Sequence, residues 1–109
     1  MISSQMLKGM LEGCVLKIIA EHETYGYEIS QKLITYGFGD ISEGTIYPML
    51  LRMSNKGFIQ AEYRESSTGP RRKYFSLTNQ GEEELKEFER QWKELSQAVT
   101  NLFDGTISE

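Results

Sequence analysis

Seven side chains carry the chemistry on offer here, and that chemistry is the capture of anions and flat apolar edges. Arg71-Arg72-Lys73 form a basic triplet just after Gly69-Pro70. Guanidinium groups bind phosphate oxygens in pairs, and a lysine adds a mobile point charge. Thr45, Tyr47, Pro48 and Arg52 lie upstream in one short stretch. A hydroxyl, a phenol, an apolar ring and a guanidinium suit the base edges, thymine methyls and backbone oxygens of a duplex. No comparable set suits bond making. His22, the only histidine, has no second imidazole or cysteine cluster beside it and reads as a solvated loop residue. Cys14, the only cysteine, lies in an apolar stripe and reads as a small buried core residue. Glu82-Glu83-Glu84 opens a helix, where the dipole and solubility account for acids. Phosphate-cradling glycine loops, nucleophile–base pairs and metal-ligand spacings are all missing from the pattern, so the expectation is a non-enzyme without metal or cofactor.

The elements that must position the seven are legible from periodicity. Ser42 is an expected helix N-cap, its hydroxyl accepting a first-turn N–H, and Glu43 suits the positive end of the helix dipole. Ile46, Met49, Leu50 and Met53 share one face of a helix from Glu43 to Lys56, with Gly57 as its stop. Pro48 breaks the helix rule there. Either it points outward toward a thymine methyl or a sugar, or the regular helix begins only near Tyr47. Ile59, Ala61 and Tyr63 alternate with Gln60, Glu62 and Arg64. After a turn of Ser66-Ser67-Thr68-Gly69-Pro70, Lys73, Phe75 and Leu77 alternate with Tyr74 and Ser76. A short helix with a polar outer face, followed at once by a basic-tipped hairpin, is the layout of a winged helix.

Upstream, Leu7, Met10, Leu11, Cys14, Val15, Ile18 and Ile19 predict one amphipathic helix. Glu21-His22-Glu23-Thr24 then reads as a polar connector. A second helix is predicted from about Tyr25 to Tyr36, with Tyr25, Ile29, Leu33 and Tyr36 on one side. Gly26 in its first turn permits close approach, either of the next helix or of DNA phosphates. Gly37-Phe38-Gly39-Asp40 turns the chain into the Ser42 cap.

Gly26-Tyr27-Glu28-Ile29, Ser42-Glu43-Gly44-Thr45-Ile46-Tyr47-Pro48, Lys56-Gly57-Phe58-Ile59 and Gly69-Pro70-Arg71-Arg72-Lys73-Tyr74-Phe75 with Leu77-Thr78 follow one another in order. Together they resemble the PadR family of bacterial transcriptional regulators, in its short form with a single C-terminal dimerisation helix. The resemblance covers nearly the whole chain. It implies a dimer joined through the C-terminal helix with help from the N-terminal one. It also implies a small aromatic or amphipathic effector that relieves repression, often of an efflux or detoxification gene.

Thr78 caps the last predicted helix, which runs to about Leu102 and leaves a tail that should fray after Phe103. Leu85, Phe88, Trp92, Leu95, Val99 and Leu102 step by three and four, an a/d seam of about two and a half heptads. Burial of the seam needs a partner: the chain's own first helix is one candidate, although it already has a core to cover, and the family resemblance implies a second subunit. Trp92 is either a large apolar knob there or a stacking surface for a flat ligand between subunits.

Composition bounds the reading. One domain is expected from 109 residues, mainly α with a small antiparallel hairpin. The winged helix-turn-helix occupies 1–78 and the dimerisation helix with its tail 79–109, as one compact unit. No apolar run reaches the ~18 residues of a membrane helix, no secretory leader is evident, and a single cysteine suits a reducing cytoplasm. The net charge of −4 conceals a division. From Leu50 to Thr78 six Lys or Arg face two acids, whereas from Asn79 to Glu109 three face eight. The function expected is a dimeric, pseudo-palindrome-reading repressor relieved by a small molecule. The competing readings are a winged-helix module that docks protein instead of DNA, and a drug-binding dimer.

Overall fold

A computed structural model describes residues 1–66 and 68–107. Among the described residues five helices and one hairpin follow in the order α1 (Ser4–Leu7), α2 (Leu11–Glu21), α3 (Gly26–Tyr36), α4 (Glu43–Asn55), β1 (Ile59–Ser66), β2 (Gly69–Leu77) and α5 (Asn79–Asp104). The architecture is a winged helix-turn-helix carrying a long C-terminal helix. No helix among the described residues is long and apolar enough to cross a membrane.

The apolar periods converge on one core: Val15, Leu16, Ile18 and Ile19 from α2, Ile29 and Leu33 from α3, Ile46, Met49, Leu50 and Met53 from α4, and Ile59 and Phe75 from the hairpin. Burying each such aliphatic chain stabilises the fold by about 1.5–3 kcal/mol before entropy is counted. Buried Ser30 donates to the Ile41 carbonyl at 3.1 Å and so ties α3 to the turn leading into α4.

Several expectations change. The predicted first helix is broken: α1 ends at Leu7, and Gly9, at φ 89°, turns the chain before α2 begins. Cys14 is only half-buried, and burial raises its thiol pKa. In α3 Ile29 and Leu33 are buried, but Tyr36 is 64% exposed and leaves the predicted apolar side. The polar connector is structural. Thr24 is fully buried, and its backbone pairs with Phe75 in both directions, at 3.2 and 2.7 Å. This bridge adds a short third member to the edge of β2.

Ser42 holds the N-cap position of α4, yet its hydroxyl meets the Thr45 hydroxyl at 3.2 Å, and no backbone N–H is capped by it. The helix starts at Glu43, so Pro48 is an interior residue, which closes the alternative of a start near Tyr47. Gly57, at φ 84°, follows the end of α4 as predicted.

The hairpin register pairs Ile59 with Leu77, Ala61 with Phe75, Tyr63 with Lys73 and Arg64 with Arg72. Of the predicted turn, Ser67 lies outside the described residues. Thr78 caps α5 through the Gly81 N–H at 3.0 Å, as predicted. The helix continues to Asp104, two residues past its predicted end, and is closed there: the Gly105 N–H bonds the Leu102 carbonyl and the Thr106 N–H bonds that of Asn101. The tail expectation for residues 108 and 109 lies outside the described residues.

The seam of α5 divides in two. Leu85 packs on the core, and the Phe88 ring lies against Gly13 of α2 so closely that no Cβ fits there. The first two seam residues, which sequence reasoning had left to a second subunit, are therefore half-covered within the chain, Leu85 by the core and Phe88 by α2. Absence of a side chain at Gly13 is what lets α2 take this second load.

Candidate nucleic-acid interface

Helical spacing gives α4 an outer strip of Gly44, Pro48, Leu51 and Asn55, all exposed. Pro48 has no N–H to give the Gly44 carbonyl one turn back, so that oxygen is left for solvent or a ligand donor. Thr45 and Arg52 lie on one flank. Both line a groove with Leu7, Glu12, Asp40 and Met49, and the Arg52 Nε stands 3.6 Å from a Glu12 carboxylate oxygen. Tyr47 lies on the opposite flank, 49% exposed, with its ring packed against Gly26 of α3. A Cβ on Gly26 would come within 2.8 Å of that ring, so helix packing is the observed use of the small residue. Burial and the neighbouring Glu43 raise the Tyr47 pKa, so the phenol keeps its proton at neutral pH.

The basic triplet does not act as one patch, because a strand alternates its side chains between two faces. Arg71 and Lys73 share a face with Tyr63: the Arg71 guanidinium is 5.1 Å and the Lys73 Nζ 5.7 Å from that ring centre. Arg72 is on the other face, 4.7 Å over the Tyr25 ring, and also donates to the Tyr25 hydroxyl at 3.4 Å.

Ion pairing separates the cations further. Arg52 pairs with Glu12, and Arg64 pairs with Glu23 and Glu62. Among the described residues none of Arg71, Arg72 and Lys73 has a carboxylate within ion-pair distance. Each instead rests on an aromatic face, which restricts a flexible side chain without neutralising it. The wing thus presents three oriented charges.

Sequence reasoning missed Leu51 and Asn55, although the spacing that placed Pro48 outward also places them. It missed the tyrosines under the cations: period-2 alternation exposes Tyr63 once the register is known, whereas Tyr25 arrives through the isolated Thr24–Phe75 bridge.

Beyond Phe88 the seam is open. Trp92, Leu95, Val99 and Leu102 are 47%, 53%, 44% and 79% exposed. Cys14, Ile18, Tyr36, Phe38, Phe88 and Trp92 line an apolar groove of about 560 Å³ between α2, the end of α3 and α5. No cluster of potential metal ligands occurs among the described residues.

Residues 15–87 match the model of the transcriptional regulator PadR-like family. Among solved structures the chain is similar to a PadR-like transcriptional regulator of Bacillus cereus, with 52% identity and a TM-score of 0.83, over 92% of this chain and 97% of that one. A Streptococcus transcriptional regulator gives 48% identity and a TM-score of 0.81, over 92% and 98%. A transcriptional regulator of Mycobacterium tuberculosis is 32% identical over 85 residues, 78% of each chain.

Proposed function

The chain belongs to the PadR-like family of transcriptional regulators, and from that premise we propose a dimeric repressor that binds a pseudo-palindromic operator and is released by a small molecule. In this reading residues 1–78 read DNA and 79–109 join two subunits in the cytoplasm. The outer strip of α4 enters the major groove, with Thr45, Tyr47, Pro48 and Arg52 as contacts. Arg71, Arg72 and Lys73 hold flanking phosphates.

The observation that carries the reading is the state of the wing cations. Three charges rest on aromatic rings without a carboxylate partner among the described residues, in a protein of net charge −4. Their most direct use is to meet the phosphates of a duplex. A wing that docked protein needs no such concentration of cations.

The exposed half of the α5 seam supports self-association along Leu85, Phe88, Trp92, Leu95, Val99 and Leu102, with the half-buried Leu85 and Phe88 also anchoring the helix to its own subunit. The groove beside Trp92 is of a size that holds a small aromatic effector.

Fluorescence anisotropy on DNA upstream of the protein's own gene tests the proposal. Binding about 10³-fold or more tighter than to random duplex is expected. Equal affinity for both would sink operator reading. Quenching of Trp92 fluorescence by planar aromatic compounds is expected as well, and a broad panel without effect would remove the effector.

A further inference from the structure

Five side chains form a continuous row along the outward face of the hairpin. Glu23 pairs with Arg64. The Arg64 guanidinium stands 4.8 Å from the centre of the Tyr74 ring. The Tyr74 and Tyr25 rings are 5.2 Å apart and tilted by 59°. Arg72 completes the row, 4.7 Å over Tyr25 and hydrogen-bonded to its hydroxyl.

The row is assembled from three parts of the chain. Arg64 belongs to β1, and Tyr74 and Arg72 belong to β2. Glu23 and Tyr25 flank Thr24, whose backbone bridge to Phe75 turns both neighbours onto the same outward face. Tyr25 is also the N-cap residue of α3. An arginine on the wing is therefore fastened to the start of α3, 47 positions away in the chain.

We infer that Tyr25 is a positioning residue: its ring and hydroxyl hold the Arg72 guanidinium ready for phosphate, so that wing and helix-turn-helix meet a duplex as one preset surface. The inference rests on the proposed reading, in which Arg72 binds phosphate. An arginine free in solvent must give up side-chain freedom when it binds, and one already ordered on a ring loses less. Glu23 and Arg64 brace the cluster by holding Tyr74 beside Tyr25.

A double-mutant cycle on the full chain tests it, with DNA affinity read by anisotropy for the wild type, Tyr25→Leu, Arg72→Ala and the double variant. Having to order one arginine per wing on binding should weaken a two-winged complex about 5- to 100-fold in Tyr25→Leu. Tyr25→Phe, which keeps the ring, should stay closer to wild type than Tyr25→Leu. In the Arg72→Ala background Tyr25→Leu should change affinity less than about 2-fold, because the group it positions is gone. Full additivity of the two losses overturns the inference, as does wild-type affinity in Tyr25→Leu.

If Arg72→Ala alone leaves affinity and salt dependence unchanged, the phosphate reading itself has failed, which is a different result from additivity. A measurement on unaltered protein guards against a variant that fails to fold. The Arg72 Nε–H proton should be shifted upfield by the Tyr25 ring and lose that shift in Tyr25→Leu. A random-coil value in the wild type would also overturn the inference.

Discussion

Gly81→Ala should destabilise the protein although it replaces glycine by the best helix former. Gly81 is buried in the first turn of α5, against Phe58 in the segment between α4 and β1 and Leu77 at the end of β2. An added Cβ would stand 2.0 Å from the Phe58 carbonyl oxygen and 2.9 Å from Leu77 Cδ1. Real Cβ atoms keep at least 3.0 Å, so helix and carbonyl must separate by about 1 Å. That displacement strikes a concentrated set of bonds. The Phe58 carbonyl accepts the Thr78 N–H at 3.1 Å, the Thr78 hydroxyl reaches the Gly57 carbonyl at 2.6 Å, and the same hydroxyl caps the Gly81 N–H.

Helix propensity favours the alanine by at most about 1 kcal/mol. Against it stand overpacking of about 1–3 kcal/mol and a weakened cap of about 1 kcal/mol. A net loss of about 1–3 kcal/mol is expected. Urea denaturation at fixed protein concentration, followed by circular dichroism, measures it through a lower midpoint at unchanged slope. A midpoint equal to or above that of the wild type would refute the close approach and the reasoning built on it.

Other perturbations probe separate parts of the fold. Glu12→Gln should tighten DNA binding about 2- to 5-fold, since it frees Arg52 and removes a negative charge beside α4; weaker binding would take Arg52 out of the interface. Arg90 and then Gln91 hydrogen-bond Glu87 and lower its carboxyl pKa from 4.5 to about 2. Its contribution to α5 is therefore present above about pH 4.5 and lost as pH falls toward 2. Carboxyl carbon NMR should find Glu87 titrating lower in the wild type than in Arg90→Gln, and identical titrations would count against the pair. Leu95→Glu should leave a folded monomer of 12.5 kDa by light scattering, because this side chain is half-exposed within its own subunit. A persistent dimer would move the subunit interface elsewhere.

Long apolar periods were legible because many residues vote for one face. Ile46, Met49, Leu50 and Met53 placed α4, and the alternation from Ile59 to Leu77 placed the hairpin. The break at Gly9 was hidden because Leu7, Met10 and Leu11 keep helical spacing across a residue at positive φ. The Thr24–Phe75 bridge involves one residue pair and has no period to detect. Arg71, Arg72 and Lys73 looked like one patch because adjacency in sequence is conspicuous, whereas their separation onto two faces follows only from the strand. The divided seam was illegible for another reason. Nothing in the spacing of α5 says which heptad meets its own α2, and the signal lay in Gly13, a missing side chain on the other helix.

The most direct test of the central claim, that the wing cations hold a duplex, is the salt dependence of DNA affinity. If Arg71, Arg72 and Lys73 of two subunits neutralise six phosphates, they contribute about −5 to the slope of log K against log salt. The wild type should be at least that steep. The triple variant Arg71→Ala, Arg72→Ala, Lys73→Ala should be shallower by about that amount and weaker on every sequence. A triple variant with wild-type slope and affinity would contradict the account.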